Sequence, residues 1–335
     1  MTPTLHFAVI GAGLAGLSCA AALQKAGVQI SVFEKSRGPS GRMSTRRSDD
    51  GQCDHGAQYF TARSPAFSAE VARWKEAGVA ALWTPKLHAY DGKTTTPMNS
   101  SIERFVGVPA MNSAAGWLAK TLTVCAGITV RQLHPHSDGW QIESAEEGLL
   151  DTHFDAVILA IPAPQAAALL PQSATALAAI ATSATMRPCW SLMLRFDEPI
   201  GLPFDAAFVN QGPLRWVARD TSKPGRSGKE TWLLHATAEW SEAHLEQAAG
   251  SIAADLLAAF SQLGGTVPHT WTAHRWLYAS TESAVAGGCA WQADAGLGLC
   301  GDWLHGGKVE GAWLSGQALA RKMVESFGLP LDVAS

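Results

Sequence analysis

The chain has little charge and few tyrosines. Asp, Glu, Lys and Arg make up 16% of its 335 residues, and tyrosine stands only at 59, 90 and 278. With a formal net charge of −4 and no run of like charges, it lacks the basic arm or stripe that would bind DNA or RNA. Its six cysteines, at 19, 53, 125, 189, 289 and 300, form no C-x-x-C pair and no Cys/His cluster at zinc spacing. That excludes a structural zinc module and fits a reduced, cytoplasmic setting. No apolar stretch approaches the ~18 uninterrupted residues that a membrane span requires. The run from Phe7 to Leu23 lacks a basic leader and is broken by Gly11, Gly13 and Gly16, so it does not read as a signal peptide. What remains is a globular chain, 47% apolar, with room for two domains.

Glycine is where the sequence is informative. Leu5 to Ile10 is a short apolar run ending at Gly11, and Leu14 to Ala26 repeats Ala and Leu at helical spacing. The stretch AVIGAGLAGLSCAAAL therefore reads as strand, tight turn and helix. Gly11 and Gly13 let the backbone turn and approach a pyrophosphate, and Gly16 lets the helix pack close to the strand. The helix N-terminus offers free N–H groups and a positive dipole end to phosphates. A second strand, Val28 to Phe33, ends at Glu34, where a dinucleotide fold needs an acceptor for the adenosine ribose hydroxyls. A carboxylate there favours FAD or NAD over NADP, whose ribose phosphate would meet its charge.

A second glycine-rich turn lies near the other end of the sequence, in GDWLHGGKVEGAW. Leu297 to Cys300 has strand character, Gly301-Asp302 breaks it, and Gly311 to Phe327 reads as a long amphipathic helix with Trp313, Leu314, Leu319 and Met323 on its apolar side. The spacing predicts that a last strand returns to the first sheet. There it would present Asp302 and a helix N-terminus, Gly311-Ala312, beyond the pyrophosphate. A nicotinamide dinucleotide does not require this element. FAD does, because its ribityl hydroxyls need an acceptor and its anionic reduced ring gains from a helix N-terminus. Between the two turns, KSRGPSGRMSTRR carries Arg37, Arg42, Arg46 and Arg47. Arg42, after Gly41, is the candidate for pyrophosphate, and Arg46 and Arg47 read as solvated charge. Residues 54 to 60 combine Asp, His, Gly, Gln and Tyr, a composition costly to bury without partners, and read as a wall beside the flavin.

At this point the motifs carry a family. GAGLAGLSCAAAL, VFEK, GRMSTRR, DHGAQYF, VILAIPAP, HRWLYA and GDWLHGGKVEGAWLSG resemble the flavin-containing amine oxidases and, more narrowly, bacterial renalases. The resemblance spans nearly the whole chain. It implies an α/β, p-hydroxybenzoate-hydroxylase-like fold: a Rossmann-type FAD-binding domain interleaved with a mixed-sheet α+β substrate domain. On that reading residues 1–63, 109–163 and 291–335 form the FAD domain, and 64–108 and 164–290 the substrate domain. It also implies Gly11, Ala12, Gly13, Gly16, Glu34, Lys35, Arg42, Gln58, Tyr59, Phe60, Asp302, Gly311 and Ala312 as contacts to FAD, held non-covalently. Within these domains Met111 to Leu122 reads as a helix. Residues 127 to 144 read as two strands around the Asp138-Gly139 turn, FDAVILAIPAP as a buried strand stopped by prolines, and Ala166 to Ala184 as one or two helices.

The activity implied by the narrower resemblance is oxidation of the 2- and 6-dihydro isomers of β-NAD(P)H to NAD(P)+, with molecular oxygen reduced to hydrogen peroxide. Such a reaction makes an aromatic pyridinium and needs no general base, only a pocket that stacks the ring against the flavin. Thr61, Trp216, Arg219, His235, Arg275 and Tyr278 are the candidate substrate contacts, with Trp276 beside them. Each has a plain structural alternative: core packing for the tryptophans, a hydrogen bond for His235 and a carboxylate partner for Arg275. The rival enzyme reading is an amine oxidase, in which Trp or Phe would replace tyrosines around a neutral amine. A flavin monooxygenase and a non-catalytic FAD-binding interaction module complete the alternatives.

Overall fold

The computed structural model describes residues 4–48 and 51–330, and the chain divides into two compact units, each assembled from separated segments. The first comprises residues 1–41, 115–186 and 281–335; the second comprises 42–114 and 187–280.

The first unit is built on a six-stranded sheet ordered Ala290–Gln292, Leu297–Leu299, Ala156–Leu159, His6–Ile10, Gln29–Glu34 and Thr123–Ala126. All neighbours run parallel except the first pair. Alternate residues of the central strand face opposite cores, as strand geometry dictates. Phe7 and Val9 pack with Leu17, Leu23, Leu319 and Met323, whereas Ala8 and Ile10 pack with Trp140, Phe154, Leu159 and Leu177. Full burial of each large aliphatic side chain stabilises the fold by about 1.5–3 kcal/mol. The first of these cores holds two adjacent helices, Leu14–Lys25 and Val309–Ser326. They approach so closely that a Cβ on Gly316 would lie 2.2 Å from the Ala15 carbonyl oxygen, and the Ser18 hydroxyl donates to the Trp313 carbonyl at 2.9 Å. The second core is covered by a three-stranded antiparallel ribbon, Val130–His136, Gly139–Ser144 and Gly148–Phe154, and by helices Ala163–Leu169 and Thr175–Ser183.

The second unit carries a mixed seven-stranded sheet ordered Thr270–Thr281, Met186–Phe196, Glu230–Ala236, Leu214–Arg219, Ala206–Val209, Leu87–Tyr90 and Thr95–Pro97, with Leu87–Tyr90 parallel to Ala206–Val209. One face packs Trp190, Leu192, Leu194, Trp232 and Leu234 against Ile252, Leu256 and Phe260 of helix Ala249–Ser261. On the other face Cys53 meets Met193 and Leu233. Helix Pro65–Glu76 begins at Ser64, whose hydroxyl accepts from the Phe67 N–H at 3.3 Å, and has proline at its first position. It buries Phe67 and Trp74 against Phe60, and Phe60 in turn stacks on Phe105.

The expected divisions near 63, 108, 163 and 290 fall instead near 41, 114, 186 and 280. Residues 42–63 join the second unit because Asp54 is ion-paired there, and the two alanine-rich helices join the first because Ala166, Leu177 and Ala181 complete its second core. Residues 281–290 follow through Glu282 N–H to Thr185 O and Val285 N–H to Trp303 O. The helix expected over 111–122 is shorter, Ser113–Ala119; Cys300 lies just past its strand; and Leu314 is only half-buried beside the buried Trp313, Leu319 and Met323.

Candidate functional site

In the first unit the parallel strands bring three features to the carboxyl edge of one sheet: the Gly11 turn, Glu34 and the Gly301-Asp302 turn. Open α/β sheets bind nucleotides at this edge. Gly11 has φ +104, and a Cβ there would lie 2.7 Å from the Ala160 carbonyl oxygen; one on Gly16 would lie 2.1 Å from that of Gly11. Gly13, by contrast, has nothing within 4 Å of a Cβ position, and it caps the following helix without a side-chain hydrogen bond. The turn is thus closed on the protein side and open on the other, the shape of a phosphate cradle. Glu34 is buried at its strand end and accepts from Ala12 N–H at 2.9 Å and Ser36 N–H at 2.8 Å. A carboxylate has about four lone-pair positions, so acceptor capacity remains for ribose hydroxyls. Lys35 is exposed beside it. Asp302 is buried, and its carbonyl accepts from His305 and Gly307 N–H groups, both at 2.8 Å. Gly311 permits the loop to close, since a Cβ there would sit 1.7 Å from the His305 carbonyl oxygen, and half-buried Ala312 follows in the first helical turn.

In the second unit, sheet alternation separates residues that the sequence groups together. Trp216 and His235 are cross-strand partners, and His235 also opposes Ser191. The His55 carbonyl oxygen gathers three donors on this face: Ser191 Oγ at 2.9 Å, Trp276 Nε1 at 2.9 Å and His235 Nε2 at 3.2 Å. The His55 ring stacks on Trp276 at 5.1 Å with His274 edge-on, and Tyr59 packs on Trp216 at 5.6 Å. Tyr278 shares the strand parity of Trp276. Burial pushes the His235 imidazole down to about 3, and burial with the nearby His274 and Arg46 charges takes His55 to about 4. Both rings are neutral near pH 7, so His235 donates through Nε2 and keeps Nδ1 as an acceptor. Trp216 Nε1 is buried without a hydrogen-bond partner. The result is a wall of aromatic and neutral imidazole rings, with the Arg104 guanidinium 5.3 Å from the Tyr59 ring centre.

The two expected arginines are not part of it. Arg219 opposes Trp232 across strands, on the other face, and pairs with Asp205 and Glu230. Arg275 alternates away from Trp276, donates to the Leu245 carbonyl and pairs with Glu246 at 3.3 Å. Phe60 is likewise a core residue, its ring among Phe67, Trp74 and Phe105 and its N–H and carbonyl both bonded to Phe105. Gln58 donates to the Asp54 and Gly56 carbonyls and accepts from Lys223, so its amide is spent on the protein. Arg42 donates to the Ala279 carbonyl at 3.3 Å, and Thr61 is half-buried after Phe60.

Beneath this wall lies an ionic cluster that the sequence does not announce. Buried Lys223 contacts Asp220 Oδ1 at 2.7 Å and Asp54 Oδ2 at 3.1 Å, and Arg226 contacts Asp54 Oδ2 at 2.5 Å. Burial works against the Asp54 carboxylate, but Lys223 and Arg226 outweigh it and hold it far below its ordinary value. Burial, with the Asp54 charge adding, pushes Asp220 up to about 6. Asp54 also accepts from Thr45 Oγ1 and Met111 N–H, which pins the strand leading into His55. Asp54 and His55 lie in the segment whose polar composition demanded partners; Lys223 and Arg226 lie in SKPGRSG, which reads as an ordinary polar loop.

Residues 9–74 match the family model of an NAD(P)-binding Rossmann-like domain, and residues 113–324, more than half of the chain, match that of the flavin containing amine oxidoreductases. The chain belongs to the flavin-containing amine oxidoreductase family. FAD is therefore its cofactor, and the open Gly13 cradle with the spare acceptor capacity of Glu34 fits that dinucleotide. Solved structures with the same fold include a putrescine oxidase bound to putrescine (TM-score 0.72, 14% identity, covering 96% of this chain and 100% of that one). A cyclohexylamine oxidase from Brevibacterium oxydans IH-35A is similar (0.74, 12%, 97% and 100%), as is an oxidoreductase from Methanosarcina mazei (0.70, 15%, 95% and 100%). At these identities the likeness to this family member is one of fold.

Proposed function

We propose that this family member is an FAD-dependent oxidase that removes hydride from the carbon beside nitrogen in a small, uncharged amine and delivers both electrons to molecular oxygen, giving hydrogen peroxide. The amine leaves as its iminium, which water hydrolyses. FAD, when bound, accepts the hydride and returns the electrons to oxygen. The supporting observation is the neutral wall of Trp216, Trp276, Tyr59, His55 and His235, with Arg219 and Arg275 turned away and ion-paired. Such a wall supplies no cation of its own for a phosphate, and its π faces attract an amine. It packs an apolar neutral donor, orients it and excludes water. No general base is called for, since the neutral amine's own lone pair drives the transfer.

A second reading rests on GRMSTRR, DHGAQYF and HRWLYA, motifs that the narrower resemblance shares: the donor is a 2- or 6-dihydro isomer of β-NAD(P)H. The unpartnered Trp216 N–H would then suit the carboxamide oxygen. Anaerobic stopped flow of the FAD-loaded protein separates the two. Bleaching of the yellow flavin by benzylamine or cyclohexylamine, with a rate that rises with pH as the amine deprotonates, supports the first reading. Bleaching only by borohydride-treated nicotinamide dinucleotide transfers the assignment to the second. A spectrum unchanged by either donor rejects both.

A further inference from the structure

The antiparallel ribbon of the first unit has one face in the core and one in solvent. Leu133, Trp140, Ile142 and Phe154 are buried, so alternation sends His134, His136, Gln141 and His153 outward. Asp138 sits in the turn joining the first two strands. There Gly139, at φ +140, brings the turn down onto the third strand: a Cβ on it would lie 2.2 Å from the Phe154 carbonyl oxygen. That descent carries Asp138 to His153. Asp138 Oδ1 accepts from His136 and lies 3.7 Å from His153 Nδ1, and the two imidazole centroids are 4.1 Å apart. One donor atom from each of the three residues falls within 4.8 Å of the others, the only such group among the described residues.

We propose that His136, Asp138 and His153 form a binding site for one divalent transition-metal ion of the zinc class, with its remaining position open to water. Zinc bonds imidazole nitrogen and carboxylate oxygen at about 2.0–2.2 Å, which sets tetrahedral ligand edges near ~3.4 Å. The His153–Asp138 separation is already close to that edge. The His136–Asp138 pair opens to that edge and the two imidazoles draw onto it by rotamer adjustment, which the side-chain exposures of 38%, 69% and 37% for His136, Asp138 and His153 allow. Two imidazoles and one carboxylate select zinc, copper, nickel or cobalt, whereas magnesium and calcium demand more oxygens than this face supplies. Nothing here touches the carboxyl edge of the parallel sheet, so the site is independent of the oxidase chemistry.

Metal-free, FAD-loaded full-length protein titrated with zinc against a chromogenic chelator, and with cobalt read by its visible absorption, is expected to bind one equivalent. His136→Ala/His153→Ala and Asp138→Asn should each weaken that binding by at least about 10–100-fold, the loss that even outer-shell partners produce. His134→Ala, which removes a neighbouring imidazole paired to Glu143, should leave it unchanged. Because these side chains are exposed, the variants should keep the wild-type circular dichroism and flavin absorbance. Absence of stoichiometric binding, or binding that survives the double substitution, overturns the site.

Discussion

His235 and His55 show how a single side chain couples folding to pH. Their depressed values mean that the folded protein holds neutral rings while the unfolded chain takes up protons from about pH 6.5 downward. Stability therefore rises with pH across that window and is lost on acidification from about 6.5 down to about 4 for His55 and about 3 for His235. His235→Asn should flatten the profile, with the thermal midpoint falling less between pH 7 and pH 5 than in the parent; an unchanged slope would show that His235 does not carry it. The sequence marks His235 as a candidate contact but cannot reveal its neutrality, which comes from burial between Ser191 and Trp216 on neighbouring strands and prevails over the opposing hydrogen bond to the His55 carbonyl. Arg219 and Arg275 fail for the same reason in reverse. Their partners Asp205, Glu230 and Glu246 are set by sheet pairing and loop return, not by residues beside them.

Among the elements, the glycine helices are the most legible. Leu14–Lys25, Gln29–Glu34 and Val309–Ser326 lie within two residues of where spacing and glycine punctuation put them, because each is punctuated by its own sequence. What the sequence does not reveal is that the first and last helices press together at Gly316. Its Cβ would strike the Ala15 backbone, so Gly316→Ala should cost about 1–3 kcal/mol through overpacking and weaken retention of FAD. Gly116→Ala, in a helix where the added methyl meets nothing within 4 Å, should be neutral or stabilising by up to ~1 kcal/mol. Chemical denaturation of both variants checks the pair; equal effects would mean that close helix approach is not what Gly316 provides. The paired strands Thr45–Ser48 and Gly51–Asp54 are not legible in the sequence, because the first unit's segment ends just before them, at 41, and Asp54 is held in the second unit by the distant Lys223 and Arg226. Losing one member of that buried cluster would leave a charge uncompensated, a cost of about 3–5 kcal/mol.

For the molecule as a whole, interleaving was foreseeable, since two glycine turns at opposite ends of the sequence need one sheet. The crossing points were not. They depend on which side chains the two sheets bury, and Ala166, Leu177 and Ala181 look alike for either core. The seating of Leu297–Leu299 between Ala290–Gln292 and Ala156–Leu159 has a further bearing on biosynthesis. In the sheet Ala290–Gln292 pairs only with Leu297–Leu299, so until that strand emerges from the ribosome the sheet stops at Ala156–Leu159 and Asp302 has nowhere to stand. A chain cut after Gly296 should accordingly come out of expression colourless, and co-translational labelling should find flavin only on released polypeptide. Cofactor capture would thus report synthesis past the second glycine turn.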